Sequence, residues 1–167
     1  MWFYVNINMK EIVYLTGDAT SPQVEGTKII AHICNDIGGW GAGFVLAVSK
    51  RWREPEAAYY LWHRERAENN FALGSIQIVQ AELSVYVANM IGQQGITADA
   101  VTGPPIRYVA VEACLAKLAT EAKSLNASVH MPRIGCGLAG GTWNKIEPLI
   151  KKTLCENDID VYVYDFA

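Results

Sequence analysis

The chain lacks the features that mark membrane-spanning, secreted or strongly nucleic-acid-binding proteins. No apolar run approaches the roughly 18 residues that suggest a spanning helix, and the amino terminus has no basic region followed by a long apolar core. With 14 basic and 17 acidic residues, the net charge of -3 offers no general attraction to nucleic acid. We therefore expect a cytoplasmic protein with no membrane partner, and nucleic acid only as a modified substrate.

Cysteine is scarce and irregularly spaced. The four cysteines, Cys34, Cys114, Cys136 and Cys155, form no C-x-x-C pair and no zinc-ligand pattern. We expect reduced thiols, no metal and no cofactor. Repeats, charge blocks and low-complexity tracts are also missing, and 167 residues of which 51% are hydrophobic suit a single domain over residues 1–167.

Strand-type and helix-type patterns alternate along the chain. Strand-type runs cover residues 11–16, 27–34, 75–80, 85–90, 127–134 and 160–166, and residues 1–8 suggest an additional edge strand. Helical patterns cover residues 44–68 as two helices, a segment that starts from residues 102–105, and a segment that ends near residue 154. The runs 75–80 and 85–90 indicate a hairpin. This order predicts a three-layer α/β domain with a mixed sheet of about six strands.

Two helices have a distinctive pattern. The segment after residue 105 carries one apolar stripe, formed by Val111, Leu115, Leu118, Ala122 and Leu125. The last helix contains Pro148, which cannot donate to the carbonyl four residues back, so this helix either starts late or has an irregular first turn.

Glycine-rich loops follow two of the predicted strands. The run 127–131 leads into a loop with Gly135, Gly137, Gly140 and Gly141, and the strand 27–34 leads into a loop that ends at Gly43. Glycines between a strand and a helix let the backbone approach an anion, which the first amides of the helix attract. We interpret both loops as phosphate-binding loops. The alternative is that glycine only satisfies the backbone angles of a turn.

Aromatic residues alternate along the last predicted strand. Tyr162, Tyr164 and Phe166 share one face. They are either core residues or, near the strand end, a surface on which a base stacks.

The order and spacing of these motifs resemble the macrodomains, the ADP-ribose-binding α/β/α modules. Within that family, the closer resemblance is to the branch that contains terminal ADP-ribose protein glycohydrolase and yeast ADP-ribose-1″-phosphate phosphatase. The matching segments are residues 16–19, 30–36, 40–44, 131–138 and 163–165. The resemblance implies a macrodomain fold and ADP-ribose, or one of its derivatives, as the ligand.

The resemblance also implies roles for individual residues. Asp18, beside Ala19, would accept a hydrogen bond from the adenine amine, and Asn35 would bind the distal ribose. The first phosphate loop would comprise Gly41, Ala42, Gly43 and Phe44, and the second Ile134, Gly135, Cys136, Gly137 and Leu138. Tyr164 and Phe166 would pack against adenine. Without the resemblance, the preferred explanation of Asp18 is a Gly-Asp turn at a strand end in which the side chain caps its own backbone.

The catalytic pair of the human glycohydrolase is missing. No lysine follows the strand 85–90, and Ala139 stands where that enzyme has aspartate. The remaining acid or base candidates are His32, Asp36 and the more distant Asp99. The alternatives for the first two are a core histidine and a turn-forming aspartate. Cys136 has no histidine nearby in sequence to activate it.

Three amide side chains are further candidates for contact with a ligand. Asn89, Gln93 and Gln94 could donate hydrogen bonds to a terminal phosphate or to the ribose.

From this pattern we expect hydrolysis of ADP-ribose-1″-phosphate or of an ADP-ribosyl ester by a positioned water. An ADP-ribosylated protein is a further expected partner. The alternative is a reader that binds free or protein-linked ADP-ribose without turnover.

Overall fold

The computed structural model describes residues 9 to 166. Residues 1–8, predicted as an additional edge strand, lie outside the described residues. The strands are β1 (Val13–Thr16), β2 (Lys28–Asn35), β3 (Ile76–Glu82), β4 (Val85–Gln93), β5 (Ser128–Pro132) and β6 (Val161–Asp165). The helices are α1 (Phe44–Arg51), α2 (Glu54–Arg64), α3 (Tyr108–Leu125) and α4 (Trp143–Thr153), with short 3₁₀ turns at Arg66–Glu68 and Cys155–Asn157.

The strands form one mixed sheet. Their order is β1-β6-β5-β2-β4-β3, and β3 pairs antiparallel with β4 while the other neighbours are parallel. The predicted hairpin and the mixed six-stranded sheet are therefore confirmed. The prediction of a single domain over residues 1–167 stays a prediction.

The sheet separates two apolar cores. On β2, Ile29 and Ala31 face the core formed with α3 and α4, whereas Ile30 and Cys34 face the core formed with α1 and α2. Because successive strand residues point to opposite faces, a strand buried on both sides is apolar at most positions. The predicted three-layer arrangement is confirmed.

Helix α3 follows its predicted stripe but starts later than predicted. Val111, Leu115, Leu118 and Ala122 are buried, and Leu125 packs at the edge of the same core. The helix begins at Tyr108, so the prediction of a start at residues 102–105 is wrong. Proline disfavours helical geometry in the residue before it, and Gly103 has a φ angle of +76°, so Gly103-Pro104-Pro105 forms a turn whose Pro105 carbonyl accepts a hydrogen bond from the Gln94 N–H (2.9 Å).

Helix α4 accommodates Pro148 in its interior. It begins at Trp143, five positions before the proline, so a late start is ruled out. Its first turn is irregular: the Thr142 carbonyl accepts from both the Lys145 N–H (3.0 Å) and the Ile146 N–H (3.2 Å). Pro148 lies on the exposed side of the helix. The carbonyl that loses its partner therefore lies on the solvent side of the helix.

The carboxyl ends of the parallel strands meet at one edge of the sheet. The two glycine loops and the Gly17-Asp18 turn all follow strands at this edge, which is where open α/β sheets bind ligands. Over residues 9 to 166, no helix has both the length and the apolar character needed to cross a bilayer.

Candidate functional site

The two glycine loops face each other across a cleft at the ends of the adjacent strands β2 and β5. Gly43 has a φ angle of +86°, which favours glycine, and a Cβ there would stand 3.5 Å from Leu138 Cδ1 of the second loop. The cleft has a volume of about 380 Å³. It is lined by Ala42, Gly43 and Phe44 from the first loop and by Ile134, Gly135, Gly137 and Leu138 from the second.

A second compartment of about 290 Å³ continues the cleft. Both compartments share Ile33, Ala42, Val45, Gln93 and Leu138. Asn35, Gly39 and Gly41 line the second one together with Ile96, which is 57% exposed at its mouth. The structure thus brings the predicted ribose-binding Asn35 into the same cleft as both loops.

Backbone donors are available along the cleft. Among residues 9 to 166, the N–H groups of Gly43 and Phe44 in the first loop and of Gly137 and Leu138 in the second donate to no protein acceptor. The start of α1 has no side-chain cap and no acidic residue in its first turn. Free amides at a helix start favour an anion.

The glycines of the second loop have different structural roles. A Cβ on Gly141 would stand 2.5 Å from the Gly135 carbonyl oxygen, to which the Gly141 N–H already donates (2.7 Å). A Cβ on Gly137 would meet no atom within 4 Å. Gly141 therefore shapes the loop, whereas Gly137 leaves open space for a ligand.

Asp18 and Phe166 lie together at a separate pocket of about 290 Å³. The pocket is lined by Asp18, Thr20, Ala47, Lys50, Arg51 and Phe166. Phe166 follows the end of β6 and is 84% exposed, so its ring is free to pack against a ligand. Two residues predicted for the adenine end are thus neighbours in space.

Hydrogen bonds hold the Asp18 carboxylate in one orientation. Oδ1 accepts from the Thr20 N–H (2.8 Å) and the Thr20 hydroxyl (2.7 Å), and Arg51 Nη2 lies 3.3 Å from Oδ2. Partial burial raises the pKa of Asp18, but the Thr20 hydrogen bonds and the Arg51 charge outweigh it, so the pKa lies below its ordinary value. The carboxylate caps its own turn, and Oδ2 keeps acceptor capacity for a ligand.

Asn35 is largely engaged within the first loop. Its Nδ2 donates to the Gly39 carbonyl (2.8 Å), and its Oδ1 accepts from the Gly39 N–H (2.9 Å) and the Tyr59 hydroxyl (2.9 Å). This amide shapes the loop, which leaves one Nδ2 hydrogen for a ribose hydroxyl.

The two catalytic candidates occupy different environments. His32 lines the floor of the cleft, is 1% exposed, and burial lowers its pKa to about 4. Asp36 does not line either compartment, and its Oδ1 accepts from the Gly95 N–H (2.8 Å). Of the two candidates, only His32 is at the cleft.

Three of the other predicted residues contribute through packing. Tyr164 is 7% exposed, and its hydroxyl forms a hydrogen bond with His130 Nδ1 (2.8 Å). Its ring is therefore buried and lines none of the pockets described above. Ala19 is buried beside Asp18. Cys136 donates to the Ile134 carbonyl (3.4 Å), and burial raises the pKa of its thiol, which favours the non-nucleophilic form.

The amide side chains within and just after β4 differ in their access to the cleft. Gln93 lines both compartments. Asn89 is fully buried and its Nδ2 donates to Pro55 and Gln77, so it cannot reach a ligand. Gln94 is exposed and accepts from Arg107 (3.2 Å).

Arg133 is a cleft residue that our sequence reasoning missed. It is the one charged side chain among the lining residues of the two compartments, which include no carboxylate and no lysine. Its Nε and Nη2 donate to the two Asp165 oxygens (2.6 and 3.0 Å), and its guanidinium lies about 5 Å from the rings of Tyr14 and Trp143. A signal was available, because Arg133 is the one cation in the segment between β5 and Gly141.

Thr20 and Arg51 were also missed. Arg51 Nε donates to the Thr20 hydroxyl (2.9 Å), which in turn donates to Asp18. Arg51 is 33 positions from Asp18 and no local pattern links them. Only the packing of α1 beside the β1 turn brings them together.

The fold and this site define an α/β module with paired glycine loops at the carboxyl ends of adjacent parallel strands. No family model matches the chain. It is 31% identical over 172 residues to mouse (Mus musculus) chromodomain-helicase-DNA-binding protein 1-like, covering 98% of this chain but 19% of that protein. This chain therefore spans about a fifth of that relative's length.

Two further similarities cover most of the length of both proteins. An ADP-ribose 1″-phosphate phosphatase of Meyerozyma guilliermondii is 30% identical over 167 residues, with 86% of this chain and 94% of the relative covered. A solved macrodomain protein from Streptomyces coelicolor is 57% identical, with a TM-score of 0.85 and coverage of 94% and 100%. The chain belongs to the macrodomain family.

Proposed function

We propose that this chain binds ADP-ribose in the cleft and hydrolyses a group at its 1″ position. The substrate is ADP-ribose-1″-phosphate or an ADP-ribosyl ester, including an ester on a protein. The observation that carries the proposal is the pair of opposed glycine loops that line one cleft and contain N–H groups with no protein acceptor. Two such loops suit a diphosphate, because each supplies donors to one phosphate without a counter-ion.

The orientation of the ligand follows from the positions of the pockets. Asp18 and Phe166 would hold adenine at one end, and Asn35 would meet the distal ribose at the other. The 1″ group then lies toward the mouth of the second compartment, beside Ile96 and Gln93. Donors already oriented toward an anion also stabilise negative charge that develops during attack by water.

The ADP-ribose 1″-phosphate phosphatase supports the choice of reaction, since it aligns along nearly its whole length. The route through lysine and aspartate is closed to this chain, because the cleft lining contains neither residue. A water activated without a covalent intermediate is therefore the reaction that we propose.

A reader without turnover is the second candidate. The observation that favours it is the engagement of Asp36 with Gly95, which leaves no carboxylate at the cleft to activate water. The two candidates differ in product formation and not in binding.

Calorimetry with ADP-ribose, followed by assays for release of phosphate from ADP-ribose-1″-phosphate and of ADP-ribose from an ester-modified protein, tests both candidates. We expect binding and release of at least one product. Binding without release would identify a reader, and absence of binding would overturn both.

A variant pair tests the position of the ligand. Gly137→Glu places a carboxylate among the free N–H groups, and we expect about 100-fold weaker binding or more with the fold intact. Leu83→Glu is the control, because Leu83 is 93% exposed in the β3–β4 turn at the other end of β4. Normal binding by Gly137→Glu would contradict the proposed site.

A further inference from the structure

A buried polar network crosses three neighbouring strands beneath the cleft. His32 on β2 is paired in register with Asn89 on β4, and Asn89 is paired in register with Gln77 on β3. Their side chains are joined by hydrogen bonds from His32 Nε2 to Asn89 Oδ1 (2.6 Å) and from Asn89 Nδ2 to Gln77 Oε1 (3.0 Å). The hydrogen-bond network therefore runs along one face of the sheet from the cleft floor to the edge strand β3.

Two backbone carbonyls of α2 determine the direction of every hydrogen bond in this network. Gln77 Nε2 donates to the Ala58 carbonyl (3.0 Å), and Asn89 Nδ2 donates to the Pro55 carbonyl (3.1 Å). A carbonyl can only accept, so both amide nitrogens must point toward α2. Asn89 Oδ1 then faces His32, and His32 Nε2 must carry the hydrogen.

The other ring nitrogen of His32 is left as an acceptor. Cys34 Sγ lies 4.0 Å from Nδ1 and 3.8 Å from Nε2, and these nearly equal distances place the sulfur off the direction of the Nδ1 lone pair. His32 lines the cleft, and its imidazole is packed against Trp40 and Phe44. Burial lowers the pKa of His32 to about 4, which keeps the ring neutral near pH 7.

We propose that Asn89 and Gln77 are positioning residues that hold His32 in its Nε2–H tautomer, so that Nδ1 accepts a hydrogen bond from an O–H group at the cleft floor. That the ligand is ADP-ribose rests on the proposed function, whereas the tautomer of His32 is independent of that function. The lone pair on His32 Nδ1 would repel the ionised oxygens of a phosphate and would attract the hydrogen of a hydroxyl group. The O–H group is therefore a ribose hydroxyl of the ligand or an ordered water.

Nitrogen-15 spectra of the imidazole rings test the proposal on the unaltered protein. The chain has three histidines, and the signals of the other two are assigned with His63→Gln and His130→Gln, which leaves the signal of His32. We expect His32 to show a protonated Nε2 and an unprotonated Nδ1. A protonated Nδ1 would overturn the proposal whether or not ADP-ribose binds, so the two proposals fail separately.

Ligand titrations identify the O–H group. A change at Nδ1 with ADP-ribose alone would indicate a hydroxyl of the distal ribose, which ADP lacks, and a change with both ligands would indicate a hydroxyl of the proximal ribose. An Nδ1 that is already hydrogen-bonded in the free protein and stays so would indicate water. An Nδ1 with no hydrogen bond in any of these states would refute the acceptor role.

Gln77→Met tests the positioning role, with Gln80→Met on the exposed side of β3 as the matched control. Loss of Gln77 leaves Asn89 Nδ2 with one partner, so we expect a mixture of His32 tautomers and about 2- to 10-fold weaker ADP-ribose binding. Gln80→Met should change neither. An unchanged tautomer in Gln77→Met would remove Gln77 from the positioning role.

Discussion

Replacing Asp18 by asparagine tests the adenine end of the site with the least structural disturbance. The side-chain oxygen of the new residue still accepts both hydrogen bonds of Thr20, at 2.8 and 2.7 Å, so the turn is preserved. The substitution replaces Oδ2 by an amide nitrogen. In the unaltered protein, Oδ2 lies 3.3 Å from Arg51 Nη2, so the new nitrogen would face the guanidinium. The amide nitrogen cannot accept a hydrogen bond from the adenine amine, and it faces a second donor, the Arg51 guanidinium.

The expected loss of affinity is moderate. A hydrogen bond to a charged acceptor contributes roughly 1.5–3 kcal/mol, which corresponds to about 10- to 150-fold in affinity. The Asp18 side chain is 38% exposed, so solvent weakens the interaction and about 10- to 30-fold is the expected range. The free energy of unfolding should change by about 1 kcal/mol or less, since the Asp18–Arg51 pair is partly exposed.

Calorimetry with ADP-ribose and with its hypoxanthine analogue, which has a carbonyl in place of the amine, measures this prediction. The unaltered protein should prefer adenine, and Asp18→Asn should bind both ligands similarly. The folded-state pKa of Asp18 lies below its ordinary 3.8. The contribution of the ionised Asp18 to the free energy of unfolding is therefore complete above about pH 4 and is lost as pH falls through the folded-state pKa. Equal affinity and equal preference in both proteins would refute the assignment of Asp18 to the adenine site.

Three further predictions follow from the glycine loops, the cleft cation and the buried histidines. Gly141→Ala should lower the free energy of unfolding by about 1–3 kcal/mol in thermal melts, because its Cβ would stand 2.5 Å from a carbonyl oxygen. Gly137→Ala should leave the free energy of unfolding unchanged, because its Cβ meets no atom within 4 Å. Equal stabilities of the two variants would contradict the loop geometry. Arg133→Met should weaken ADP-ribose binding by about 2- to 10-fold at low salt and less at high salt, and a salt-independent loss in titrations would argue against a charge effect. Burial lowers the pKa of His32 and His130 from 6.5 to about 4, so the unfolded chain protonates first and stability should decline as pH falls from about 6.5 to 4, on the order of 3 kcal/mol per histidine. A melting temperature that stays flat over this range would contradict buried neutral histidines.

The fold was predictable because its elements leave strong local patterns. The apolar stripe of α3 repeats at helical spacing, and β2 is apolar on both faces because both are covered. Helix ends were less predictable. The start of α3 at Tyr108 follows a loop that is tied back to the end of β4, where the Gln94 N–H donates to the Pro105 carbonyl and the Arg107 N–H donates to the Gly92 carbonyl.

The candidate site was predictable only in part. The backbone-mediated portion, Gly43 and Gly137, is visible in sequence because glycine is needed where a chain turns tightly or leaves room for a ligand. Side-chain roles were harder, since Asn35 serves its own loop and Asp36 is held by Gly95, 59 positions away. A polar side chain next to a glycine loop has several possible partners, and sequence does not rank them.

The sequence by itself determined the order of strands and helices, the two glycine loops and the resemblance to the macrodomains, because these depend on local spacing and on residue type. The tertiary structure alone decided that Arg51 and Thr20 orient Asp18, that Arg133 lines the cleft and that His32 is linked through Asn89 to Gln77. These contacts join residues that are distant in the chain, and their geometry depends on how the sheet and helices pack.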